Sequence, residues 1–220
     1  MSEIVFNIVY TLTDCFLFFL LVLSFYVLKR DNKIKSYSIF HLYLLACFID
    51  NLALEILKVF DLLERFNWLW FELIFSIIHF SLLALFILKQ IKNLTSNFYW
   101  IYFLILLILV GVNFFDLMNG SYYSASISNV GLIIFCLIYF LDLLKDNSGI
   151  VLKNDPLFLI ITGIFLGSGT LTPILLFGNH LKEIIDPDTF FWVALLSPVS
   201  SIIMYSLFLK SFLCILRIKK

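Results

Sequence analysis

Seven stretches of about twenty or more mostly apolar residues, joined by short polar connections, constrain this chain more than anything else in it. They run approximately Ile4–Leu28, Tyr37–Phe60, Trp68–Leu88, Phe98–Phe115, Ser124–Leu144, Leu157–Phe177 and Phe190–Leu213. A helix rises about 1.5 Å per residue, so about twenty residues cover the roughly 30 Å of a bilayer's hydrocarbon. The second stretch is the most polar, with Asp50, Asn51 and Glu55, but omitting it would leave a very long apolar loop. Of the 220 residues, 62% are hydrophobic and 14% charged. A soluble domain is about half apolar and a quarter charged. One soluble core cannot hide the excess, so lipid must serve as solvent. The expected fold is all-α: a polytopic bundle of seven transmembrane helices forming a single domain over residues 1–220.

Orientation follows from the basic residues, which accumulate on the cytoplasmic side of membrane proteins. With the N-terminus outside, 12 of the 15 Lys and Arg fall inside, and only Lys58, Arg65 and Lys182 fall outside. Asp61, Glu64, Asp116, Glu183, Asp186 and Asp188 then fall outside. Trp68, Trp70, Trp100 and Trp192 lie near span ends, as an aromatic belt requires. Residues 1–14 contain Glu3 and no basic residue, so no signal peptide is expected. The loops are too short for a soluble effector, and the zero formal charge gives no reason to expect nucleic acid. Cytoplasmic output would need a separate signalling protein.

An ionisable residue inside a bilayer costs about 2.5–3.5 kcal/mol on insertion scales, so each one asks for a function. Asp14, Asp50 and His79 fall at one depth, roughly 15 Å below the outer end, with Glu55 and Glu72 above them. Glu72, Ser76 and His79 share one helical face, and so do Asn51, Glu55 and Lys58. Asn113 lies near the outer end of the fourth span, Ser126, Ser128 and Asn129 open the fifth, Thr170 and Thr172 lie in the outer sixth, and Ser197 in the outer seventh. The cytoplasmic halves carry few strong polar groups. A transporter needs a polar route to both faces and a channel a continuous lining. An outward pocket in a sealed bundle suits ligand sensing, or hydrolysis of a lipid or small molecule. The plainer alternative is that these groups pair to hold helices together, at about 0.6 kcal/mol per interhelical hydrogen bond.

A zinc site needs three converging ligands, and His41, His79 and His180 lie at different depths. Neither GxSxG nor HExxH occurs. Lys210 lies too close to the cytoplasmic end for a mid-membrane Schiff base. Cys15, Cys47, Cys136 and Cys214 show no metal or disulfide spacing. No metal or cofactor is expected. Gly163, Gly167 and Gly169 read as close-packing positions, and Pro173 and Pro198 as kinks.

Three strings carry a resemblance over nearly the whole chain: Trp70-Phe71-Glu72, Tyr139-Phe140-Leu141-Asp142-Leu143-Leu144 and Asn154-Asp155-Pro156-Leu157-Phe158, the last running into Gly167–Pro173. With its seven spans and short loops, the chain resembles a group of small seven-helix membrane proteins of Bacteroidetes-type bacteria. That resemblance implies the fold and a bacterial inner membrane, and brings no activity with it. The plan is also similar to the seven-helix sensory modules of bacterial signalling proteins, and to multi-pass lipid hydrolases such as lysoplasmalogenases. The strings around Asp50 and His79 depart from the hydrolases, so no site is carried over from them. The expected function is a sensory component that binds a small or amphipathic ligand in an outward pocket and acts through a cytoplasmic partner. The alternatives are an intramembrane lipid hydrolase using Asp50, Glu72 and His79, and a structural subunit of a membrane complex.

Overall fold

The computed structural model describes residues 2–30, 35–60, 68–92, 96–119, 123–145 and 155–218. These form seven helices: α1 (Ser2–Arg30), α2 (Lys35–Val59), α3 (Trp68–Leu88), α4 (Ser96–Asn119), α5 (Tyr123–Lys145), α6 (Pro156–Ile184) and α7 (Pro187–Ile218). Six are long and apolar enough to cross a membrane. The seventh, α3, contributes the shorter apolar segment Leu73–Leu88. The protein is therefore an all-α, multi-pass membrane bundle.

Every expected span is a helix, and several helices outrun their apolar stretch. Helix α6 begins where Asp155 caps it: its side chain accepts from Leu157 N–H at 3.0 Å, and Pro156 occupies the first turn, where a missing N–H costs nothing. At the start of α7, Asp186 accepts from both the backbone N–H and the hydroxyl of Thr189, each at 2.8 Å. Both α6 and α7 run unbroken through Pro173 and Pro198. Threonines beside Pro173 turn their hydroxyls onto their own helix: Thr170 donates to the Leu166 carbonyl at 2.9 Å and Thr172 to the Ser168 carbonyl at 2.7 Å.

The helices pack as a ring, α1–α2–α3–α5–α6–α7 and back to α1. Helix α4 stands outside the ring, against α3 and α5. Only 17% of its apolar window is buried, against 39% for each of α5, α6 and α7. Lipid tails are as apolar as leucine, so burial alone does not hold such a bundle together; close packing and interhelical hydrogen bonds must. Phe40 on α2 shows the packing: its ring meets Phe86 at 5.2 Å, Phe208 at 4.9 Å and Phe212 at 6.0 Å, linking α2, α3 and α7. Helices α6 and α7 approach closely at two glycines. A Cβ on Gly163 would lie 2.9 Å from the Phe208 ring and 3.2 Å from the Met204 carbonyl, and one on Gly167 would lie 2.8 Å from Met204 Sδ. Gly169, expected to do the same, has open space beside it.

The two ends of the bundle differ. The N-terminal end carries the starts of α1, α3, α5 and α7, and the C-terminal end carries their finishes. Among the described residues, buried positions begin at Thr13 on α1, stop at Asp50 on α2 and Ser168 on α6, and begin at Pro198 on α7. Beyond these points, toward the N-terminal end, the described side chains of the four helices are half-buried or exposed. In the α3–α4–α5 sector burial continues outward, through Ser76, Asn113, Asp116 and Ser124. The aromatic core occupies the C-terminal half.

Candidate ligand site

The polar residues fall into two groups. The first lies between α1 and α2, where Asn51 Nδ2 donates to Asp14 Oδ1 at 3.0 Å. Tyr205 of α7 lies within electrostatic reach of the same carboxylate. Asp50, one residue before Asn51, is the outermost buried position of α2 among the described residues, at 8% exposure. Glu55 is exposed a turn further out. An apposed acid and amide of this kind join two helices.

The second group surrounds a cavity of about 180 Å³ between α3, α5 and α6. Phe75, Ser76 and His79 line it from α3, Ser124, Ala125, Ser128 and Asn129 from α5, and Leu171 from α6. Helical geometry explains the convergence: Ser124 with Ser128, and Ala125 with Asn129, are four apart, while Ser76 and His79 are three apart. The His79 ring is half-buried between Tyr43 of α2, at 5.4 Å, and Phe75, at 5.9 Å. Ser76 donates to the Leu73 carbonyl at 2.8 Å and to Asn113 Oδ1 at 3.4 Å; Asn113 Nδ2 in turn donates to the Leu73 carbonyl at 3.4 Å. Asn113 thus reaches the cavity wall through Ser76.

The other expected site residues lie elsewhere. Thr170 and Thr172 sit on α6 beside Leu171, with their hydroxyls turned onto their own helix. Ser197 is half-buried on α7, and its carbonyl accepts from the Ser201 hydroxyl at 3.3 Å. The side chain of Glu72 lies outside the described residues. His41, toward the C-terminal end, shares a 2.7 Å hydrogen bond with Ser24 of α1. All four cysteines are free thiols. No group of three or more His, Cys, Asp or Glu able to hold a metal occurs among the described residues.

Two structural details go beyond a reading of residue types. Ser128 is only 2% exposed, and its hydroxyl has no hydrogen-bond partner among the described residues although it lines the cavity. The sequence places Ser128 among the polar residues that open the fifth span but does not distinguish it from Ser126. Asp116 reads as an exterior acid, yet it is fully buried and accepts from Ser124 N–H at 2.6 Å. It satisfies one of the orphan donors in the first turn of α5 and so fixes the wall that carries Ser128 and Asn129.

The lining described for this cavity contains no Lys, Arg, Asp or Glu, only hydroxyls, an amide, an imidazole and apolar side chains. Among the described lining residues a neutral group with donors and acceptors would find matching partners. Comparison with protein-family models, curated proteins and solved structures finds no match.

Proposed function

We propose that this protein is a membrane sensor of a neutral amphiphile, whose polar head enters the α3–α5–α6 cavity. The observation that carries this function is the buried Ser128 hydroxyl, unpartnered among the described residues, in a cavity also lined by His79 and Asn129. An unmade hydrogen bond of a buried group costs about 1–3 kcal/mol, and a ligand head that makes it recovers that cost. Size narrows the ligand. Drug-sized molecules occupy pockets of about 300–1,000 Å³, while a cavity near 150 Å³ holds a molecule of about benzene's size. A space of about 180 Å³ suits a small head group rather than a whole lipid.

With the N-terminus outside, as the 12-to-3 basic asymmetry indicates, the cavity lies in the outer half of a cell membrane, and the basic C-terminal end meets a cytoplasmic signalling partner. Continuous ring packing runs from the cavity toward that end: His79 on Tyr43, Tyr43 on Phe40 at 5.7 Å, and Phe40 on Phe208 and Phe212. A head group that shifts His79 acts directly on this stack.

Thermal unfolding of the purified protein with and without a monoacylglycerol provides the test. Saturation at about a hundred times Kd should stabilise the protein by about 2.7 kcal/mol. Ser128→Ala should abolish most of that gain without lowering the stability of the ligand-free protein. A full shift in the variant would refute the assignment of this cavity.

A further inference from the structure

A second space lies beside the first, between α3 and α4. It measures about 100 Å³ and is lined by Leu73, Ile74 and Ile77 on α3 and by Val110, Phe114 and Leu117 on α4, with Asn113 as its one polar residue. Leu73 lines both spaces. The Ser76 and Asn113 side chains bridge them. On the rim, Ile74 is 54% exposed and Phe114 61%. In a membrane these surfaces meet hydrocarbon, so the groove opens sideways into the bilayer.

We infer that this groove takes the first methylenes of the hydrocarbon chain of the amphiphile whose head occupies the polar cavity, the rest of the chain continuing into the bilayer, and that the ligand enters laterally between α3 and α4. The inference rests on the proposed function and adds to it the ligand class, a single-chain neutral lipid, and its route. A chain joined to a head in the cavity has to leave through an apolar exit, and the groove is apolar and shares a wall with the cavity. Asn113 stands at the junction. Both hydrogen bonds that hold its amide measure 3.4 Å, longer than the usual 2.7–3.2 Å, so its displacement forfeits little. Once displaced, the amide can pair with the ester linkage between head and chain, which would otherwise pass the junction without a partner. The position of α4 outside the ring fits the same route, because separating α3 from α4 leaves the six-helix ring closed.

The test uses the full chain in lipid nanodiscs and two photoactivatable monoacylglycerols that differ only in diazirine position. One carries it on the glycerol head and the other on the chain a few methylenes beyond the ester. The head probe should label the Ser124–Asn129 segment and the segment around His79. The chain probe should label residues around Ile77 and Val110–Phe114 several-fold more than the exposed Phe18, Phe19 and Val22 of α1. Ile77→Trp, which fills the groove, should cut that labelling, whereas Leu107→Trp on the open face of α4 should leave it unchanged. If the chain probe spreads evenly over lipid-facing surfaces while the head probe still marks the cavity, the groove assignment is overturned and the cavity stands. If the head probe misses the cavity, the proposed function fails and the groove assignment fails with it.

Discussion

Ser126 and Ser128 are two residues apart on α5, both buried, and neither hydroxyl has a hydrogen-bond partner among the described residues. Only Ser128 lines the cavity. Ser126→Ala should therefore stabilise the protein by about 1 kcal/mol and leave the monoacylglycerol shift unchanged, whereas Ser128→Ala should abolish most of the shift. Parallel thermal unfolding of the two variants separates an unsatisfied core hydroxyl from a ligand contact. A second pair separates packing from helix propensity. Gly163→Ala forces a methyl toward the Met204 carbonyl and the Phe208 ring and should destabilise by about 1–3 kcal/mol. Gly169→Ala meets open space and should gain up to about 1 kcal/mol of helix propensity, read as a rise in Tm. In the sequence these residues form two look-alike pairs. Residue type and spacing cannot show which serine borders a cavity or which glycine faces a neighbour; that depends on how each helix is rotated in the bundle.

At the scale of elements, hydropathy located all seven helices because each must satisfy its backbone internally in lipid. Their ends were less legible. Asp155 with Pro156, and Asp186 with Thr189, set the starts of α6 and α7 through side-chain hydrogen bonds, which hydropathy does not register. Helix α4 illustrates a deeper limit. Its long apolar run is interrupted only near its end, by Asn113 and Asp116, so hydropathy does not show that it stands outside the ring. Asp116, at its far end, ties α4 to the first turn of α5 through Ser124 N–H. Asp116→Ala should destabilise by about 1–3 kcal/mol and weaken monoacylglycerol binding through misplacement of Ser128 and Asn129; Asp116→Asn, which keeps an acceptor, should recover much of both. Paired unfolding and binding measurements on the two variants check this.

The whole molecule has a tightly packed C-terminal half and a more open, polar N-terminal half. The lopsided polarity was legible in the sequence, because helix depth can be counted in residues. The division of polar groups was not: Asp14 and Asn51 join α1 to α2, while Ser76, His79 and Asn129 meet on the cavity around α3 and α5. Depth alone puts Asp14, Asp50 and His79 on one level, but their angular positions around the ring decide which residues meet. The basic asymmetry predicts a fluorescent C-terminal green-fluorescent-protein fusion and an inactive C-terminal alkaline phosphatase fusion; the reverse pattern would invert the bundle. The most direct measurement is an experimental structure of the protein in nanodiscs formed from the membrane in which it was expressed. Non-protein density between Ser128 and His79, extending past Asn113 into the α3–α4 groove, is the predicted result. A cavity closed by side chains, with the Ser128 hydroxyl bonded to a neighbouring helix, would contradict the ligand site.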